Sequence, residues 1–154
     1  MPYFDQATET LPRDQLASLQ ILKLQAMLAE LWERNAFYTA KMKVIGVKPD
    51  DIRLPADISR LPITTKHELI SDQTANLPYG TNLTYPAKHY VRFHQTSGTT
   101  GTPLRVLDTD ASWDWWGRCW GYVLSGAGLT AGDRLFTAFS FGPFIGFWLA
   151  FEAA

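Results

Sequence analysis

Gln95-Thr96-Ser97-Gly98-Thr99-Thr100-Gly101-Thr102-Pro103 is the stretch on which the reading of this chain turns. Two glycines three apart let the backbone turn tightly and approach a ligand closely, so that successive N–H groups converge on one anion. The hydroxyls of Thr96, Ser97, Thr99, Thr100 and Thr102 add donors around the same concavity, which is the chemistry for cradling a polyphosphate. A Walker A string, Gly-x-x-x-x-Gly-Lys-Ser/Thr, occurs nowhere in the chain, and the loop is not Gly-x-Gly-x-x-Gly either. On composition alone, a Ser/Thr-rich hairpin turn that binds nothing is the competing reading.

The flanks of the loop alternate like strands. His89-Tyr90-Val91-Arg92-Phe93-His94 has a period of two, and Leu104-Arg105-Val106-Leu107-Asp108 reads as a second strand. Thr109 or Asp110 then caps a helix over about residues 111–125, which ends at Gly126 and Gly128. Trp113, Trp116 and Trp120 fall on one face of it at spacings of three and four, which suits packing into a core or against another domain better than stacking on a ligand. Further on, residues 135–139 read as an apolar strand, Gly142-Pro143 as a turn, and a new helix begins near Phe144.

Upstream the period is helical. Leu16, Leu19, Leu24, Met27, Leu28 and Leu31 recur along residues 12–43, with a bend at Asn35-Ala36-Phe37-Tyr38 and a glycine stop at Gly46. Prolines at 49, 55, 62, 78 and 86 then restrict the chain to short helices and turns, one of them marked by the capping-box spacing Thr65…Glu68. The expected fold class is therefore α/β. A helical N-terminal region over 1–88 precedes the beginning of an α/β sheet domain over 89–154, and this domain is incomplete because the apolar tail stops without a cap. A chain so ended is expected to be the N-terminal part of a longer protein.

Read as a string, Thr96-Ser97-Gly98-Thr99-Thr100-Gly101-Thr102-Pro103 resembles the phosphate-binding signature of the adenylate-forming (AMP-binding) superfamily. Leu11-Pro12-Arg13-Asp14, Gly46-Val47-Lys48-Pro49-Asp50-Asp51-Ile52 and Leu61-Pro62-Ile63-Thr64-Thr65-Lys66-His67-Glu68-Leu69 look like the N-terminal region of phenylacetate–CoA ligases. The resemblance implies a two-step reaction. A carboxylate attacks the α-phosphate of MgATP to give an acyl-adenylate and pyrophosphate, and the sulfur of coenzyme A then displaces AMP to give a thioester. ATP, Mg2+ and coenzyme A are the implied cofactors, and 89–154 becomes the first part of the ATP-binding domain.

On the same resemblance, Thr96, Ser97, Gly98, Thr99, Thr100 and Gly101 hold the β- and γ-phosphates, supplying electrostatic stabilisation and no nucleophile. Phe141, Gly142 and Phe144 fall in a segment that contributes to the acyl pocket, where such ligases typically read Tyr-Gly-Leu-Phe-Thr-Gly-Gly. This chain departs there, with Phe141 for tyrosine and Pro143 for leucine, and it has Thr102 where the ligases often carry lysine; Arg105 is a candidate replacement charge. The expected substrate is a small, largely apolar acid of the phenylacetate kind. The magnesium and catalytic residues of the family fall beyond residue 154, so the piece alone is expected to be inactive and prone to self-association. The rival readings are a non-catalytic nucleotide-binding or interaction module that keeps the phosphate loop, and an adenylating enzyme with a different acyl acceptor.

Composition narrows the other classes. Fourteen Lys plus Arg against fifteen Asp plus Glu give a net charge of −1, with no basic excess for nucleic acid. A single cysteine, Cys119, excludes an internal disulfide and reads as a small buried hydrophobe. His67 and His89 have no ligand spacing, so no metal site is expected, and His94 reads as a hydrogen-bonded residue at a strand end. No basic start leads into an apolar run, and the uncharged stretch 135–151 is broken by Gly142-Pro143, so neither a secretory signal nor a membrane span is expected and the default compartment is the cytoplasm. The leucines of the first helix suit packing within the chain or against a partner helix, and a homodimer is among the expected states.

Overall fold

The structure is a computed structural model and describes residues 3–98, 101–139 and 141–154. Among these, α1 spans Gln6–Glu9, α2 Arg13–Leu31, α3 Ala36–Val44, α4 Lys66–Ala75, α5 Asp110–Gly126 and α6 Ile145–Ala153. Strands β1 (Tyr90–Gln95) and β2 (Arg105–Thr109) form a two-stranded sheet, and short 3-10 turns occupy Pro49–Asp51, Pro55–Arg60 and Ala87–His89. The chain divides into two compact units, Leu11–Ala87 and Met1–Thr10 with Lys88–Ala154.

In the Leu11–Ala87 unit the expected bend is real. The helix α2 stops where Glu33 takes a left-handed φ of 62°, and Asn35 restarts the chain by accepting the Tyr38 N–H on its side-chain oxygen at 3.1 Å. Asn35 is itself buried, and its amide donates to Asn82 Oδ1 at 2.9 Å and Thr84 Oγ1 at 3.1 Å, so the cap also ties down a distant loop. Leu28, Met42, Val47 and Ile52 form the core, with Leu24, Trp32 and Leu61 packed against it; Ile52 is fully covered. The apolar stripe read from α2 is narrower than its spacing suggests. Met27 is 53 % exposed because successive residues point about 100° apart on a helix, and Leu28 takes the core position. The Thr65 cap forms as expected, with Glu68 Oε2 accepting the Thr65 N–H at 2.7 Å.

In the other unit, β1 and β2 pair antiparallel with Gln95 opposite Arg105, His94 opposite Val106 and Arg92 opposite Asp108. The segment before β2 therefore closes a hairpin. Thr109 caps α5 by accepting the Ser112 N–H at 3.2 Å. The arm ahead of α1 lies along α5: Phe4 meets Tyr122 edge-on at 5.0 Å, Arg118 pairs with Asp5, and a Cβ on Gly121 would come within 2.4 Å of the Phe4 ring. Only a residue without a side chain leaves room for that ring.

Two expectations need correcting. Residues 135–139 form no strand: they run without a ladder, and Phe136 is 88 % exposed, since extended backbone becomes sheet only beside a neighbour that takes its hydrogen bonds. The tryptophan face of α5 is not uniformly buried either. Trp113 is covered, but Trp116 is 43 % exposed, because α6 covers only part of that face. Cys119 is half-buried.

Candidate functional site

The loop between β1 and β2 begins at a well-made neck. Thr96 N–H donates to Leu104 O at 3.0 Å, and Leu104 N–H donates back to Thr96 Oγ1 at 3.0 Å. The threonine hydroxyl thus serves as an acceptor within the protein. Beyond the neck, Gly98 adopts φ 66°, and Gly101 N–H closes a turn on Gly98 O at 3.0 Å. A side chain at Gly98 would be doubly opposed: the φ is left-handed, and a Cβ would fall 2.7 Å from Pro103 Cγ. Ser97 is exposed, as is Gly101. Thr99 and Thr100 lie outside the described residues, so their part in the loop rests on sequence.

The segment expected from the sequence to contribute to an acyl pocket stands close to the root of this loop. Gln95 N–H donates to Pro143 O at 2.8 Å, joining the last residue of β1 to the segment holding Phe141, Gly142 and Phe144. A second bond fixes the preceding carbonyl, as Trp148 Nε1 donates to Gly142 O at 2.8 Å. The Phe141 ring sits 4.7 Å from Trp148 and 5.1 Å from Phe151, while Phe144 packs edge-on to Phe147 at 5.9 Å. The segment is thus lined with aromatic faces.

Behind β1 lies a buried polar pair. His94 is 4 % and Asp108 7 % exposed, and His94 Nε2 approaches Asp108 Oδ2 at 3.0 Å across the diagonal of the hairpin. The approach lies off the hydrogen-bond axis, and neither atom has a hydrogen-bond partner among the described residues. Asp108 Oδ1 accepts from the Ser112 hydroxyl at 2.8 Å. Burial pushes the Asp108 carboxyl up, and the opposing contacts from His94 and Ser112 outweigh it, holding the group below its ordinary value. His94 is thus buried in the hairpin against Asp108, and its Nε2 makes no hydrogen bond of the kind expected at a strand end.

The sequence does not announce Gln95, Trp148 or the His94–Asp108 pairing as parts of one arrangement. Their contacts depend on strand register and on the packing of α6. Among the described residues no group of three His, Cys, Asp or Glu side chains stands together. Nor is any helix among them long and apolar enough to cross a membrane. A cleft of about 510 Å³, lined in part by Leu124, Leu129, Asp133 and Phe151, lies in the same unit but includes none of the loop residues.

No family model matches the chain. Over 138 residues, 90 % of its length, it is 35 % identical to a phenylacetate-coenzyme A ligase of Escherichia coli K12. Over nearly all of its length the chain is similar to part of a phenylacetate–CoA ligase. A phenylacetate-coenzyme A ligase of Thermus thermophilus is 33 % identical over the same share of the chain. In both cases the chain spans 30 % of the relative's length. The solved structures place it beside the same family: 2-hydroxyisobutyryl-CoA ligase, in an open conformation in complex with 2-HIB-AMP and CoA, superposes with a TM-score of 0.90 at 26 % identity, covering 98 % of this chain and 35 % of that one. The same ligase in the thioesterification state superposes at 0.84.

Proposed function

We propose that the protein carrying this chain is an AMP-forming acyl-CoA ligase, in which the loop 96–101 grips the β- and γ-phosphates of ATP and the segment 141–144 lines the acyl pocket. The observation that carries this reading is the bond from Gln95 N–H to Pro143 O. It joins the root of an anion-suited loop to an aromatic, uncharged segment, so that a phosphate and a carboxylic acid are presented side by side.

The loop's contribution is electrostatic and positional. Backbone N–H groups around Gly98 and Gly101, with the hydroxyls of Thr96, Ser97, Thr99 and Thr100, donate to phosphate oxygens, while the neck at Thr96 and Leu104 fixes where the loop opens. Phe141 and Phe144 favour a small, largely apolar acid, aromatic acids of the phenylacetate kind included. Coenzyme A as acceptor and a homodimer in the cytoplasm belong to the same reading. Magnesium supplies charge neutralisation to ATP in such a reaction, but the described residues do not themselves make a site for it.

Carboxylate-dependent ATP–pyrophosphate exchange by the full-length protein, across a panel of acids, tests the reading. Phenylacetate or another apolar acid should support exchange, and Gly98→Ala should abolish most of it, because the left-handed turn costs about 1–2 kcal/mol with a side chain even before the clash with Pro103. Exchange supported only by highly polar acids would overturn the acyl assignment. Exchange unaffected by Gly98→Ala would overturn the loop assignment, and ATP binding with no exchange for any acid would favour a non-catalytic nucleotide-binding module.

A further inference from the structure

The helix α6 starts directly after the acyl segment, with Phe144 as its N-cap, and near its other end it carries an acidic residue that the sequence gives no reason to notice. Glu152 Oε2 accepts the indole N–H of Trp113, on α5, at 2.6 Å and lies 3.5 Å from Arg92 Nη2, on β1. The Arg92 guanidinium also stands 5.3 Å from the centre of the Trp113 ring, and the same ring lies 6.0 Å from the His94 imidazole. One carboxylate therefore joins α6 to both the hairpin strand and the helix behind it. At the other end of the same segment, Gln95 N–H holds Pro143 O. Between these two attachments run two turns of helix, about 10 Å long, and a helix of that length moves as a rod.

We propose that Glu152 is a positioning residue for the acid half of the reaction: through Trp113 and Arg92 it fixes α6 on the hairpin, and so sets where Phe141, Gly142 and Phe144 stand relative to the loop 96–101. The proposal rests on the ligase reading above and deepens it. Its physical content is leverage. The buried Leu149 seats α6 against α5 through non-directional contact, and the Trp113–Glu152 bond, formed by a charged acceptor against a buried indole, adds the aligned contact that fixes the far end of the helix. The loop keeps its own neck at Thr96 and Leu104, so loosening α6 displaces the acyl segment and leaves the phosphate loop in place.

Pyrophosphate exchange by the full-length protein, with acid and ATP varied separately, distinguishes this role from general support of the fold. Glu152→Ala should raise the KM for the acid about tenfold while leaving the KM for ATP and the melting temperature near wild type, since a displaced pocket wall loses contacts made to the acid in ground and transition states alike. Glu152→Gln, which keeps an acceptor for Trp113, should recover most of the loss. Trp113→Phe, which keeps a ring and removes the donor, should reproduce the alanine phenotype, and it decides the matter if Glu152→Ala fails to fold. An unchanged acid KM in Glu152→Ala and Trp113→Phe overturns the proposal. So does a parallel rise of both KM values that Glu152→Gln does not relieve. Wild-type protein that exchanges with no acid at all would instead remove the ligase reading on which the proposal stands.

Discussion

The two units of this chain are held together by different chemistry. In Leu11–Ala87 the buried side chains are mainly aliphatic, Leu28, Met42, Val47 and Ile52, and the polar residues work at element ends: Asn35 and Thr65 as caps, and Lys41 donating to Ile63 O and Glu68 at 2.6 Å each. In the unit of the candidate site the covered side chains include His94, Asp108 and Trp113, and directional contacts among β1, β2, α5 and α6 replace a continuous aliphatic core. Phe93 and Phe136, meanwhile, are exposed. An aliphatic core is held by non-directional contacts, whereas the Trp113 indole bond to Glu152 depends on donor–acceptor alignment. The unit that carries the proposed site is the one in which such aligned polar contacts join the elements.

The comparison predicts where each unit breaks. The largest effect is expected from His94→Ala, which leaves the Asp108 carboxyl buried with Ser112 as its remaining named partner; unfolding of the protein in urea should show a loss of about 3–5 kcal/mol, and the His94→Ala/Asp108→Ala double variant should lose less than the two singles added together. Strict additivity would mean that the pair does not hold the hairpin. Leu28→Ala, in the aliphatic core, should cost about 2–5 kcal/mol by the same measurement, and a cost below about 1 kcal/mol would deny that unit its core. Removing the helix cap with Thr65→Ala should cost only about 1 kcal/mol, read as faster amide exchange in the first turn of α4.

The smallest effect is in the pH dependence. The Lys41 ammonium, with the Thr65 N–H and hydroxyl, lowers the Glu68 carboxyl to about 2 from the 4.5 it has when unperturbed. A depressed carboxyl contributes stability that is fully present above its unfolded value and lost as pH falls towards its folded one. Acid titration between about pH 4.5 and 2 should therefore weaken the protein less in Glu68→Gln than in wild type. Since the group is exposed to solvent, added salt should shrink the difference.

Much of this was legible in the linear order of residues, because it depends on neighbours a few positions apart. The bend at Asn35, the Thr65–Glu68 box, the Thr109 cap and the two strands flanking the loop all follow from local spacing and side-chain hydrogen bonding, and the loop string together with the flanking motifs was enough to indicate the family. Residues 135–139 show the limit of such reading: their apolar run is compatible with a strand, but a strand exists only where another chain segment takes its hydrogen bonds, and that is not a property of the run itself. The same limit hid the arrangement around the candidate site. His94 meets Asp108, Gln95 meets Pro143 and Trp113 meets Glu152 across separations of 14, 48 and 39 residues, fixed by hairpin register and by the seat of α6 on α5. The sequence by itself determined the helices with their caps, the two strands flanking the loop and the family resemblance, since each is written in local pattern; whether 135–139 forms a strand, and which side chains meet around the loop and the 141–144 segment, was decided only by tertiary packing, since contact at such separations is a property of the folded chain.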